Sequence, residues 1–260
     1  MRLNVVGAGP AYTDRPGATG AAYLVRYEGA SLLLDLGQGS FPRLAGLVDP
    51  AELDAVVISH LHTDHFIDLV PLRHYLRWEQ PRRRVRVLGP AGLDARLDAL
   101  CDEPSFCAAA LDIEALVEGR RSIGPFELEV VRVTHTDSSF GFRVSPGSSG
   151  AATPGSGAAT PGLVYSGDCG RAEDLDALVR PGDTLLCEVS FGAGPVVPGA
   201  EHLDGPAVGE LASRTGAGRV LLTHLQMGFD RAATVDSVRA RFTGGPVELV
   251  DPGFETTIAS

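Results

Sequence analysis

The sequence predicts an α/β protein built in layers, helix on sheet on sheet on helix. Three observations point to it. Short apolar runs of strand length recur from residue 2 to residue 250, helical periodicities fall between them, and the pattern divides into two roughly equal halves. Strands mixed with helices throughout suit such layering. At 260 residues the chain can bury a sizeable core without staples, and residues 1–260 read as a single domain.

Residues 2–6 are an apolar run closed by Gly7 and read as a strand. Gly7-Ala8-Gly9 superficially resembles a dinucleotide-binding loop, but Pro10 follows and no amphipathic helix opens to hold a pyrophosphate. Residues 21–27 and 31–35 read as a hairpin turning at Glu28-Gly29. Residues 54–58 are a buried strand. Phe66, Leu69, Val70, Leu72 and Leu76 then recur at helical spacing across residues 65–78, with Pro71 expected to kink or split that helix.

Strand 85–88 and helix 92–100 follow. Residues 126–134 alternate apolar and polar, and 140–144 and 163–166 are further strands. A short helix is expected over 173–179 and a buried strand over 184–189. Helix 206–214, strand 219–223, helix 231–241 and strand 246–250 complete the pattern. Ser149-Gly-Ala-Ala-Thr-Pro-Gly155 is repeated at once as Ser156 to Gly162, so residues 146–162 read as a flexible, low-complexity surface loop.

Composition narrows the partners. All 22 basic residues are arginine, against 33 acidic ones, for a net charge of −11. An acidic chain repels a polyanion, so extended nucleic-acid binding is disfavoured. Arg82, Arg83, Arg84 and Arg86 form one dense basic cluster, read as a solvated loop. Cys101, Cys107, Cys169 and Cys187 show no CxxC spacing, which excludes a zinc ribbon or thioredoxin-like site. No run approaches the roughly 18 apolar residues of a membrane span, and no signal-peptide pattern is present. A cytoplasmic protein with free thiols and no membrane association is expected.

The chemistry concentrates in Ser59-His-Leu-His-Thr-Asp-His65, directly after a buried strand. In extended backbone His60 and His62 point to one side, while Asp64 and His65 sit where a helix begins. Neutral imidazoles and carboxylates are good ligands for Zn²⁺ and similar ions, and two closely spaced ligand groups suggest two metals. His135, Asp168 and His224 each follow a strand-like run, and ligands at neighbouring strand ends converge on one sheet edge.

His60-x-His-x-Asp-His65 with later His135, Asp168 and His224 resembles the metallo-β-lactamase superfamily signature, over nearly the whole chain. The resemblance implies a four-layer αββα sandwich of two mixed β-sheets flanked by helices. It further implies that His60, His62 and His135 hold one divalent ion, that Asp64, His65 and His224 hold another, and that Asp168 bridges them. Asp35, in Asp35-Leu-Gly-Gln-Gly39, resembles the superfamily aspartate that orients ligands, and is equally readable as a turn former. Zn²⁺ is the default ion, with Mn²⁺ and Fe using similar ligands.

Three details are similar to the ribonuclease Z and cyclic-nucleotide phosphodiesterase branch: Thr134-His-Thr136 before Phe140-Gly-Phe142, Ser166-Gly-Asp-Cys-Gly170, and Cys187-Glu-Val-Ser-Phe191 followed by His202. Cys169 departs from the branch's usual Thr. The resemblance implies a hydrolase in which a metal-bound hydroxide attacks phosphorus. Asp64 would assist the nucleophile, and His202, positioned by Glu188, would contact the phosphate or protonate the leaving group. His202 has the weakest spacing support of these residues. His74 is left as a helix-surface residue.

The tRNA-gripping arm of true ribonuclease Z enzymes falls between the counterparts of His135 and Asp168. That interval carries no basic residue from Arg143 to Arg171 here. A small phosphodiester such as 3′,5′-cyclic AMP is therefore the expected substrate. A tRNA 3′-end endonuclease, a thioester or ester hydrolase, and a non-catalytic metal- or nucleotide-binding protein are the alternatives. A homodimer is an expectation of the resemblance alone.

Overall fold

The computed structural model describes residues 1–147 and 160–258. Most of the 146–162 repeat loop lies outside the described residues.

The first half contains β1 (Arg2–Gly7), β2 (Ala22–Tyr27), β3 (Ala30–Leu34), α1 (Phe41–Ala45), β4 (Ala55–Val57), α2 (Thr63–Phe66), α3 (Leu69–Trp78), β5 (Val85–Gly89), α4 (Leu93–Cys101) and β6 (Leu111–Ala115). The second contains β7 (Gly119–Ile123), β8 (Phe126–Arg132), β9 (Phe140–Pro146), β10 (Leu163–Tyr165), β11 (Thr184–Glu188), α5 (Gly205–Thr215), β12 (Arg219–Thr223), α6 (Arg231–Arg239), β13 (Val247–Leu249) and β14 (Glu255–Thr257). One sheet runs β14-β1-β2-β3-β4-β5-β6 and the other β13-β12-β11-β10-β9-β8-β7. Both are mixed: β3 to β6 pair in parallel and β1 to β3 antiparallel, while β10 to β13 are parallel and β7 to β10 antiparallel.

Period-two alternation builds three apolar layers. Tyr23, Val25, Leu32, Leu34 and Val57 of the first sheet meet Leu128, Val130, Phe142, Tyr165 and Leu186 of the second. The alternate residues Leu24, Leu33 and Val56 face outward onto Leu69, Leu72 and Leu76 of α3. On the far side Val164, Leu185 and Leu222 pack on Val208 and Leu211 of α5 and Val238 of α6. The result is the expected αββα sandwich. Each fully buried Leu or Val contributes about 1.5–3 kcal/mol.

The hairpin turns at Glu28 and Gly29, with φ of 49° and 83°, and Tyr27 pairs with Ala30. Two positive-φ residues match the twist of the flanking strands.

Four expectations shift. The helix expected over 65–78 is two helices, and the break falls at Ile67 and Asp68 rather than at Pro71. Pro71 is the third residue of α3, where its missing N–H has no intrahelical acceptor to lose. The helix expected over 173–179 is a short 3₁₀ turn, Ala172–Leu175. The strand at 246–250 is followed by β14, which pairs with β1. Finally α1, β6, β7 and β14 are additional elements, and the three strands among them are all sheet edges.

Three of the four arginines in the basic cluster have carboxylate partners. Arg83 pairs with Glu52, Arg84 with Asp112 and Arg86 with Glu114.

Candidate metal centre

The expected site residues gather at one edge of the sandwich, most of them directly after strands. Asp35 follows β3, His60 and His62 follow β4, and His135 follows β8. Asp168 follows β10, Glu188 ends β11, and His224 follows β12. Close backbone packing fixes the loops. The Asp64 carbonyl accepts from Ala21 N at 3.0 Å and the His65 carbonyl from Leu36 N at 2.8 Å. A side chain at Gly37 would overlap the Asp64 carbonyl, so glycine is required there. His224, with φ 58°, is tied to the first loop by its N–H to Ala8 O at 3.0 Å.

The side chains form two ligand sets that share Asp168. His60, His62, His135 and Asp168 make one; Asp64, His65, His224 and Asp168 make the other. Within each set the ligand atoms lie within 4.8 Å of one another. Asp168 Oδ2 faces His60 Nε2 at 3.7 Å and His135 Nε2 at 3.6 Å. Its Oδ1 faces His65 Nε2 at 3.3 Å and His224 Nε2 at 3.5 Å. Asp64 Oδ2 is 3.1 Å from His224 Nε2 and 3.6 Å from His65 Nε2. Ligand atoms about 2.0–2.2 Å from one tetrahedral ion are separated by about 3.3–3.6 Å, which these spacings approach.

Hydrogen bonds behind the ligands set their tautomers. Asp35 Oδ2 accepts from His65 Nδ1, Ser59 Oγ and Tyr165 OH, each at 2.7 Å, and Oδ1 accepts from Ser59 N at 2.6 Å. Ser59 Oγ, having given its proton to Asp35, accepts from His60 Nδ1 at 3.0 Å. His135 Nδ1 donates to Glu201 O at 2.7 Å. Ser190 Oγ donates to Glu188 Oε2 at 2.6 Å and accepts from His224 Nδ1 at 3.1 Å. Each of these imidazoles carries its proton on Nδ1 and turns the Nε2 lone pair inward.

That arrangement is unfavourable without a cation. His135 Nε2 and His62 Nδ1 approach to 3.0 Å, and His65 Nε2 and His224 Nε2 to 3.3 Å. His60 Nε2 and Asp168 Oδ1 are buried and have no hydrogen-bond partner among the described residues. Buried polar atoms are almost always satisfied, and a divalent ion in each set satisfies these. Burial also holds the His60 pKa well below 6.5, in the neutral form that ligates metal. The donor set therefore fits two divalent ions.

Glu188 is fully buried and fully satisfied. Its Oε1 accepts from His202 Nδ1 at 2.9 Å and from Cys169 N at 3.0 Å, and its Oε2 accepts from Ser190 N at 2.9 Å. It therefore holds His202, the arrangement the sequence left least supported. Burial opposes charge on His202, but the hydrogen bond and charge of Glu188 outweigh it and raise its pKa above 6.5. His202, Asp64, Asp168 and His224 line one cavity of about 340 Å³. His74 is exposed on α3, edge-on to Phe106.

Sequence reasoning assigned no task to Ser59, Tyr165 or Ser190. Ser190 carried a signal, since two residues after Glu188 on an extended segment it shares that side chain's face. Tyr165 carried none, because its partner Asp35 lies 130 residues away.

Residues 33–225 match the family model described as beta-lactamase superfamily domain. The chain belongs to the metallo-β-lactamase superfamily. Several relatives span most of its length. An uncharacterized protein of Mycobacterium tuberculosis is 31% identical over 98% of this chain and 92% of its own. The probable metallo-hydrolase YhfI of Bacillus subtilis is 27% identical over 86% of this chain and 87% of its own. The crystal structure of YhfI superposes with a TM-score of 0.83 at 23% identity, covering 98% of both chains. A ribonuclease Z of Pyrobaculum neutrophilum is 27% identical over 99% of this chain and 98% of its own. The superfamily implies divalent metal binding and hydrolase chemistry.

Proposed function

We propose that this metallo-hydrolase is a phosphodiesterase for a small phosphodiester, with 3′,5′-cyclic AMP as the leading substrate and Zn²⁺ as the leading ion. The carrying observation is His202, which lines the same small cavity as Asp64 and His224 and is held from behind by the buried Glu188. His60, His62, His135 and Asp168 would hold one ion and Asp64, His65, His224 and Asp168 the other. When bound, the ions supply Lewis acidity and a water acidified to pKa about 7.

The chain's own residues do the rest. Asp64, which lines the cavity, accepts a proton from the attacking water. Glu188 keeps His202 protonated and aimed, and the raised pKa suits a proton donor. As the new P–O bond forms and the P–O bond to the ribose breaks, His202 gives its Nε2 proton to the departing oxygen. Such transfer contributes typically about 10²–10⁴-fold.

The ribonuclease Z relatives favour phosphodiester chemistry over thioesters. A tRNA substrate takes second place because the chain is acidic and its His135–Asp168 interval lacks basic residues between Arg143 and Arg171. The test is chromatographic: cyclic AMP is incubated with Zn²⁺- or Mn²⁺-loaded protein and with a chelator-stripped sample. AMP should form with loaded protein alone. No AMP from fully metallated protein would remove the cyclic-nucleotide reading.

A further inference from the structure

Two residues in the wall of the cavity have no part in the metal centre or the proton transfer. Tyr12, in the loop after β1, is 64% exposed, and its hydroxyl has no hydrogen-bond partner among the described residues. Arg96, on α4, donates from NH1 to Leu61 O at 2.6 Å and pairs with no carboxylate among the described residues. It is the single cation among the cavity's lining residues apart from histidine.

Each is unusual in its setting. Exposed aromatic rings are ordinary on a surface, but this one stands in the wall that also contains His62, Asp64 and His202, beside the apolar Pro10, Ala11 and Leu61. Many of the surface arginines are neutralised, as Arg84 and Arg86 are by Asp112 and Glu114. The carbonyl of Leu61, next to His62, anchors one edge of the Arg96 guanidinium and leaves its other donors unassigned. A planar fork with free donors suits phosphoryl oxygens. An exposed ring over an apolar wall suits a heterocycle, since every base has a π-face. A cavity of about 340 Å³ is at the small end of ligand sites, the size class of a mononucleotide.

We propose that Arg96 and Tyr12 set the substrate class: Arg96 grips a phosphoryl oxygen of a nucleotide and Tyr12 stacks on its base. This rests on the phosphodiesterase reading for its reaction, but the binding it describes is separable from turnover.

The experiment therefore measures binding. Zn²⁺-loaded protein is titrated calorimetrically with AMP and with ribose 5-phosphate, which lacks the base. Base stacking contributes on the order of tenfold in affinity, so the native protein should bind AMP about tenfold more tightly. Tyr12→Ala should erase that difference while Tyr12→Phe keeps it, because only the ring is needed. Arg96→Gln should weaken both ligands alike, with zinc content unchanged. Equal affinity of the native protein for the two ligands, or an undiminished preference in Tyr12→Ala, overturns the stacking role. Unchanged affinities in Arg96→Gln overturn the phosphate role. Binding as described without cyclic AMP hydrolysis would remove the cyclic-nucleotide reading of the reaction and leave this site standing.

Discussion

Ser190 Oγ lies 3.1 Å from His224 Nδ1 and so fixes which nitrogen of His224 faces the metal centre. The same hydroxyl donates to Glu188 Oε2. One serine thus couples a metal-facing imidazole to the carboxylate that holds His202. Partners behind metal ligands typically contribute about 10–100-fold in metal affinity. Ser190→Ala should lower zinc affinity in that range, measured by competition with a chromogenic chelator, and Ser190→Thr should restore most of it. Native affinity in Ser190→Ala would show that His224 needs no such partner.

Removing His202 separates turnover from metal binding. His202→Ala should retain two ions per chain by elemental analysis while its rate falls by about 10²–10⁴-fold. Loss of an ion in that variant would make His202 a ligand and end its role as proton donor.

Metal removal should destabilise the fold. His60 Nε2 and Asp168 Oδ1 are buried without partners, and the inward-facing nitrogens repel one another. A ligand at 1,000 times its Kd stabilises by about 4.1 kcal/mol, which in a chain of this size shifts Tm by on the order of 10 °C. Chelation should lower Tm by about that much, and added Zn²⁺ should reverse it. An unchanged melting curve would contradict metal binding at this site.

Arg143 and Asp183 form a buried bidentate pair, Nε–Oδ2 2.8 Å and NH2–Oδ1 2.9 Å. Asp183 also accepts from Gly162 N at 2.6 Å and Arg180 N at 2.9 Å. Breaking such a pair leaves a buried charge uncompensated and costs about 3–5 kcal/mol. Asp183→Ala should lose that much in urea unfolding, and removing Arg143 as well should recover part of it. A loss under 1 kcal/mol would mean that water reaches Arg143 in the variant.

The thiols should be inert. Burial raises the pKa of Cys169 and Cys187, and that of Cys107 is pushed up to about 12. Because the thiolate is the reactive form, each stays protonated and unreactive until pH approaches its raised value. Iodoacetamide at pH 8 should leave all three unmodified in folded protein and label them in denaturant, read by mass spectrometry. Rapid labelling of Cys107 at pH 8 would contradict its burial.

Much of the site was legible before any coordinates. Six residues contain His60, His62, Asp64 and His65, and each lone polar residue at a strand end, His135, Asp168 and His224, proved to belong with them in space. The central strands were legible for the same reason: burial on both faces makes them continuous apolar runs. The edge strands β6, β7 and β14 were not. Asp112 and Glu114, Arg120 and Ser122, and Glu255 face solvent there, which protects a sheet edge but hides its strand pattern. The five-residue α1 is too short to show a helical period.

The sequence by itself determined which groups are present and which local backbone carries them: imidazoles and carboxylates placed just after buried strands, in a chain of net charge −11. Only the tertiary structure decided which atoms face one another. Asp35 could be read as a turn former or as an orienter, and it is both, with φ 58° and four accepted hydrogen bonds. Ser190, Tyr12 and Arg96 gain their meaning from neighbours brought together by the two sheets. The physical reason is that residue type and spacing fix the side of a strand a group occupies, whereas the direction of a lone pair depends on partners supplied from across the sandwich.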